Sequence, residues 1–334
     1  MRPFVFLFPE SMKYTQLFEQ AYSYIAQSSA ITLACHEHPD GDALGSLAAL
    51  GMVAERHFGK QTLWYSADGV PLSLAFLPGS ERIVSDLSQQ ADLLIGLDYA
   101  DFWRLKVPAR YVAEARMLTI DHHPWRGQQG NVCIIDPSCS STAELIYWFL
   151  QYHGIPIDAD VARCLLTGII TDSGGFLHAN TSARTMFAAA ELMRKGADAA
   201  HIFEELGKYE PRAVRATGDI LSRAQAHSEC PSMFYAGIPF KEFEMYNVAS
   251  SDLFGVTDML NAAEGTKFCA FLIEYEKGRV KGSLRSEPHK GVDVSAIAEA
   301  LGGGGHKYAA GFSFMGSLQE AEGHLVRTAN SVLV

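Results

Sequence analysis

Hydrophobic and polar positions along this chain change period in blocks. Residues 14–28 place Tyr14, Leu17, Phe18, Ala21, Tyr22 and Ile25 at helical spacing. Residues 31–35 form a compact apolar run. A turn with Pro39 and Gly41 follows, and residues 43–58 return to apolar helix spacing before Gly59. Further apolar runs at 62–66, 93–98, 116–121 and 132–135 predict buried strands. Ser141-Thr142-Ala143-Glu144 matches a capping box and predicts a helix through about residue 152. Another helical pattern spans 161–171. Strands alternating with helices predict an α/β layer with a mostly parallel sheet.

The pattern shifts after about Ala199. Residues 14–200 read as the first domain, 201–230 as a helical and rather polar connector, and 231–334 as a second, smaller α/β domain. In the latter, strands are predicted at 233–237, 268–276 and 279–285, with Glu276-Lys277-Gly278 as a hairpin turn. A helix at 294–301 precedes Gly302-Gly303-Gly304-Gly305-His306.

Composition narrows the classes. A chain of 334 residues can bury two cores. Its net charge of −11 argues against a protein that coats nucleic acid through a broad basic surface. It does not argue against an enzyme that holds a phosphate through bound cations. The six cysteines show no C-x-x-C spacing and read as reduced core thiols of a cytoplasmic protein. No run reaches the roughly 20 apolar residues of a membrane span. The apolar start, Met1 to Pro9, is short and lacks a cleavage pattern, which disfavours a signal peptide. Met12 offers an alternative start that would leave the first residues as a disordered tail.

Chemistry-bearing residues gather where the apolar runs end. His36-Glu37-His38-Pro39-Asp40-Gly41-Asp42 follows the first strand, Asp98 follows Leu93–Leu97, Asp121-His122-His123 follows Leu118-Thr119-Ile120, and Thr171-Asp172-Ser173 comes last. Carboxylates and imidazoles at the ends of parallel strands suit a two-metal phosphoryl-transfer site. Each motif also has a plainer reading: Asp42 as a helix cap, Asp40 as a turn residue, Asp98 as a strand-end cap, the His pair as surface. His38, next to Pro39, has less reason to point inward. Two adjacent histidines on an extended segment face opposite ways, so one can ligate a metal while the other faces the substrate. Farther on, Arg285 closes a strand and suits bidentate phosphate binding, against a solvated surface role. The Gly302–Gly305 run lets backbone N–H groups approach a ligand oxygen, against a flexible loop.

The order H-x-x-x-D-x-D, D, D-H-H, T-D resembles the DHH phosphoesterase superfamily. The tail Ser283-Leu284-Arg285-Ser286 followed by Gly302–His306 is similar to its DHHA1 domain. The resemblance spans about residues 15–330 and is closest to the group of oligoribonucleases that also dephosphorylate 3′-phosphoadenosine 5′-phosphate (pAp). It implies a parallel-sheet DHH domain and a smaller DHHA1 domain, with the active site in the cleft between them, and a manganese-dependent hydrolase. Carried over by position, one metal would take His36, Asp40 and Asp98. The other would take Asp42, Asp98, His122 and Asp172, with Asp98 bridging and His123 facing the scissile phosphate. Arg285, Gly303, Gly304, Gly305 and His306 would contact the substrate. Phe176-Leu177-His178-Ala179-Asn180-Thr181 resembles the segment after the fourth motif, but His178 stands where that motif usually has Arg or Lys.

The mechanism expected from this reading is attack by a metal-bridging hydroxide, with two Mn²⁺ per site and Mg²⁺ or Co²⁺ as substitutes. The expected substrates are short RNA or a nucleotide with a terminal phosphate, with no membrane partner; a homodimer is compatible with the sequence. Exopolyphosphatase and cyclic-dinucleotide phosphodiesterase are the alternatives within enzymes. A pyrophosphatase is disfavoured by the glycine run, and an inactive nucleotide-binding module by the presence of every expected ligand.

Overall fold

The computed structural model describes residues 11–87, 91–125, 127, 129–253 and 255–333. The stretch before residue 11, read above as a tail, lies outside them. The chain divides into two compact units between Lys208 and Tyr209.

The first unit contains α1 (Ser11–Gln27), β1 (Ala30–Cys35), α2 (Gly41–Arg56), β2 (Gln61–Tyr65), β3 (Leu93–Leu97), α3 (Ala109–Glu114), β4 (Arg116–Asp121), β5 (Val132–Ile135), α4 (Thr142–His153), α5 (Ala159–Asp172), α6 (Ala183–Arg194) and α7 (Ala199–Leu206). Its sheet is wholly parallel, in the order β2-β1-β3-β4-β5. The order reverses direction between β1 and β3. Such a switch point opens a crevice at the carboxyl ends of the two strands. The register pairs Cys35 with Leu97 and Leu97 with Ile120. The next residues, His36, Asp98 and Asp121, therefore form one row across three strands.

Helices α2, α4 and α5 share one core with the sheet, where Leu44, Leu47, Ile146, Leu165 and Ile169 are fully buried. Two glycines set their separation. A Cβ on Gly45 would overlap the carbonyl oxygen of Cys164, and one on Gly168 would lie 2.6 Å from the Cβ of Ala143 and 2.7 Å from Oδ1 of Asp42. Close packing of α5 onto α2 and α4 thus bears directly on a candidate site residue.

Two local expectations change. Asp40, not Asp42, caps α2, accepting from the N–H groups of Asp42 and Ala43. Only half of the capping box forms at α4: Ser141 Oγ accepts from Glu144 N at 3.0 Å, while the Glu144 carboxylate turns to Ser140, Trp148, Arg184 and Thr185. The helical pattern over 161–171 is α5, and Asp172 is its last residue.

The second unit contains α8 (Pro211–Ser222), β6 (Gln225–His227), β7 (Cys230–Ile238), α9 (Phe240–Tyr246), α10 (Val256–Asn261), β8 (Phe268–Glu276), β9 (Arg279–Arg285), α11 (Val294–Ala300), β10 (Gly304–His306), β11 (Ala309–Met315) and α12 (Leu318–Val332). Its mixed sheet runs β10-β11-β9-β8-β7-β6, with only β7 and β8 parallel. Strand β8 is covered on both faces. Phe268, Ala270 and Leu272 join a core with α11 and α12, whereas Cys269, Phe271 and Ile273 join one with α8 and α10. All six cysteines are free, five of them buried. Among the described residues no helix is long and apolar enough to cross a membrane.

Candidate metal centre

His36 follows β1, and its ring is buried. Nδ1 lies 2.7 Å from the carbonyl oxygen of Glu37, a contact that favours the proton on Nδ1 over the longer 3.3 Å approach of the Arg104 guanidinium to the same nitrogen. Nε2 then faces Asp98 Oδ2 at 3.6 Å and Asp40 Oδ2 at 3.8 Å. His122 repeats the arrangement. Its Nδ1 is 3.4 Å from the carbonyl oxygen of Cys139, and its Nε2 faces Asp172 Oδ2 at 3.0 Å and Asp98 Oδ1 at 3.6 Å. An imidazole that gives one N–H to a carbonyl and turns its other nitrogen to carboxylates is prepared to bind a cation.

Asp98 stands between the two rings, with Oδ2 toward His36 and Oδ1 toward His122. It is buried, and its backbone occupies the left-handed region at φ 53°. Non-glycine residues adopt that region at a cost, and such strain concentrates at working sites. The strain is held by Asp121, whose Oδ2 accepts from the N–H groups of Tyr99 at 3.2 Å and Ala100 at 2.8 Å.

Asp42 is fully buried on the first turn of α2. Its carboxylate accepts from the N–H groups of Thr142 at 2.7 Å and Ala143 at 2.8 Å, which open α4. A helix N-terminus favours such an anion. The residues expected to hold metals fall into two sets, His36 with Asp40 and Asp98, and Asp42 with His122 and Asp172. In each set the potential donor atoms lie within 4.8 Å of one another.

The two histidines after β4 do not face opposite ways. Their ring centroids are 4.6 Å apart, and His123 Nδ1 also reaches Asp98 Oδ1, at 3.4 Å. The strand ends at Asp121, so alternation no longer governs His122 and His123. His38 is exposed and pairs with Asp68 at 3.0 Å.

The charges are crowded. Burial raises the Asp42 carboxyl well above the usual range, and Asp98 and Asp172 push it further. Burial also opposes ionisation of Asp98, yet hydrogen bonds from His123 and His36 hold it well below that range. Burial disfavours the charged form of His122, but Asp172 and Asp98 outweigh it and lift its pKa to about 9. Closely packed carboxylates of this kind are relieved by multivalent cations. The donor set, carboxylate oxygens with imidazole nitrogens, fits Mn²⁺ better than Mg²⁺, which prefers oxygen shells rich in water.

The sequence reading passed over three residues with a part here. Asp121, in the sequence only the first residue of its Asp-His-His motif, here holds both His123 and the turn after Asp98. Thr142 donates its hydroxyl to Asp98 Oδ1 at 3.1 Å. Asn180 donates to the carbonyl oxygens of Ser140 at 2.9 Å and Asp172 at 3.2 Å. The FLHANT segment was the one signal that could have pointed to Asn180. His178 Nδ1 lies 3.1 Å from the carbonyl oxygen of Asp172, so it closes the end of α5.

In the second unit, Arg285 pairs with Ala309 across β9 and β11, and Ala309 pairs with His306 across β11 and β10. Arg285 and His306 thus share one row, and Arg285 Nε lies 3.4 Å from Asp258 Oδ1. The glycine run is ordered. Gly304 and Gly305 belong to β10, and a Cβ on Gly305 would lie 2.5 Å from the Ala309 carbonyl oxygen and from Ala310 Cα. Close approach of β11 by itself requires glycine at positions 303 and 305.

The chain is similar to known proteins along most of its length. The DHH family, N-terminal domain, matches residues 30–169, and the DHHA1 domain matches residues 234–334. The chain is 33% identical over 297 residues to the bifunctional oligoribonuclease and PAP phosphatase NrnA of Thermus thermophilus, covering 87% of this chain and 86% of that protein. It is 27% identical to the protein of the same name from Bacillus subtilis, covering 86% and 90%. The crystal structure of an exopolyphosphatase-related protein from Bacteroides fragilis is similar at a TM-score of 0.85 and 25% identity, covering 95% of this chain and 96% of that one.

Proposed function

We propose, for a chain that belongs to the DHH family and carries a DHHA1 domain, hydrolysis of short oligoribonucleotides and of pAp with the help of two divalent cations. Family membership makes it a phosphoester hydrolase; the substrates and the metal are our reading. One observation carries it: Asp98 directs one carboxylate oxygen to each of the two donor sets.

His36, Asp40 and Asp98 would hold one cation, and Asp42, Asp98, His122 and Asp172 the other. Mn²⁺ ions held there would supply a water acidified enough to attack phosphorus at neutral pH, and would neutralise the phosphate oxygens. The protein's own part is orientation. Asp121 fixes the ring of His123, and burial of that ring is offset by Asp121 and Asp98, which keep it protonated. An imidazolium so held would stabilise or protonate the leaving oxygen. Arg285, Gly303, Gly304, Gly305 and His306 would receive the phosphate and sugar groups, Arg285 through a charge-assisted fork. A net charge of −11 favours short substrates gripped at one end over long duplexes gripped along their length.

The test is turnover of a substrate panel with Mn²⁺: pAp, dinucleotide and five-nucleotide RNA, linear and cyclic di-AMP, and polyphosphate. Metal-dependent cleavage of pAp and the short RNAs supports the reading. Turnover confined to cyclic di-AMP or polyphosphate would replace it.

A further inference from the structure

The four residues of the Asp42, Asp98, His122 and Asp172 set come from four different elements, yet all are tied to one short segment, the approach to α4 at residues 139–143. The Cys139 carbonyl oxygen faces His122 Nδ1 at 3.4 Å. The Ser140 carbonyl accepts from Asn180, which also donates to the backbone carbonyl of Asp172. Thr142 N and Ala143 N donate to the two oxygens of Asp42, and the Thr142 hydroxyl donates to Asp98 Oδ1 at 3.1 Å.

The segment is itself braced. Ser140, Ser141, Thr142 and Glu144 are fully buried. Glu144 Oε2 accepts from Ser140 N at 2.9 Å and Ser140 Oγ at 2.8 Å, and Arg184 Nε and Thr185 Oγ1 bind the same carboxylate. The other set is held differently. His36 rests on the Glu37 carbonyl, and Asp40 accepts from its own helix α2. Among the described residues, only the shared Asp98 of that set hydrogen-bonds to the segment.

We propose that residues 139–143 are the positioning frame for one of the two cations, with Thr142 as a positioning residue whose hydroxyl aims Asp98 Oδ1 toward the His122 set. The two metal sites are therefore separable by substitution, although they share a ligand. This rests on the two-cation reading above. Supports of metal ligands of this kind are worth roughly 10- to 100-fold in metal affinity.

The experiment titrates the metal-stripped full chain with Mn²⁺ by calorimetry and records the electron paramagnetic resonance spectrum at two equivalents. The wild type takes up two ions and gives a coupled spectrum. Thr142→Val removes the hydroxyl but keeps the N–H to Asp42. It should retain one affinity, weaken the other about tenfold or more, and give the uncoupled spectrum of a single bound ion plus free Mn²⁺. Thr142→Ser should restore both. Asn180→Ala, at an exposed position that poses little risk to folding, should weaken the same ion less severely. Wild-type affinities and spectrum in Thr142→Val would overturn the proposal, as would equal loss of both ions, or a Thr142→Ser variant no better than Thr142→Val. A wild type that binds no Mn²⁺ pair would instead overturn the two-cation reading.

Discussion

A single oxygen of Asp121 holds His123 twice: Oδ1 accepts from the backbone N–H and from ring Nδ1, each at 2.9 Å. The other oxygen holds the turn that presents Asp98. Asp121→Asn keeps the shape but exchanges an acceptor oxygen for an NH₂ group and removes the charge that supports the imidazolium. We expect kcat to fall by about 10²-fold, the order of a general acid's contribution, with a smaller change in KM. Steady-state kinetics on pAp decides it, and an unchanged kcat would remove His123 from the chemistry.

Asp98→Ala removes the carboxylate common to both donor sets. Activity should be lost almost completely, and calorimetry should show Mn²⁺ uptake weakened at both sites. Wild-type turnover of this variant with Mn²⁺ present would refute the site assignment.

Gly168→Ala tests the helix packing under the site. The added methyl would meet Ala143 Cβ at 2.6 Å and Asp42 Oδ1 at 2.7 Å, so α5 must move away from α2 and α4. Overpacking of this kind costs roughly 1–3 kcal/mol. Urea denaturation should show the loss, and Mn²⁺ affinity should drop with it because Asp42 is displaced. Gly154→Ala, where a Cβ meets nothing within 4 Å, is the comparison: its φ of 66° makes alanine cost some stability, but metal affinity should stay as in the wild type.

Arg285→Ala should raise KM far more than it lowers kcat, by roughly 1–3 kcal/mol of lost binding if the guanidinium meets a phosphate. Arg285→Lys should recover only part of this, since an ammonium cannot form the fork. Equal KM values for wild type and Arg285→Ala on pAp and on dinucleotide RNA would exclude the contact.

Without cations, the site should make stability depend on pH. Burial disfavours the His122 imidazolium, but Asp172 and Asp98 prevail and raise its pKa to about 9, against about 6.5 for an ordinary histidine in the unfolded chain. The folded state holds the proton more tightly, so the stabilisation is complete below about pH 6.5 and is lost as pH rises through about 9. His36 and His123 shift in the same direction. The Tm of chelator-stripped protein should therefore fall across this window. Asp172→Asn should flatten the curve; a wild-type Tm that is level from pH 6.5 to 9 would contradict the charge arrangement.

Much of this was legible in the linear chain. Apolar runs of strand length separated by helical patterns announce a parallel α/β layer, because both faces of such a sheet are buried and its strands must be apolar throughout. Strands β4, β5, β8 and β9 end where their apolar or alternating patterns end. The candidate ligands were legible because carboxylates and imidazoles placed directly after buried strands have few structural reasons to be there.

Other features depend on partners distant in sequence. Nothing local says that Asp42 accepts N–H groups from residues 100 and 101 positions later, or that Glu144 turns away from its own cap. That the backbone of β11 demands glycine at 305 is visible only once β10 and β11 pair. Above all, the sequence by itself determined which residues are candidates for the chemistry and that they gather where elements begin or end. Only the tertiary structure decided that His36, Asp98 and Asp121 stand in one row, because strand register and the reversal between β1 and β3 are set by pairing and packing across the sheet, not by any one strand.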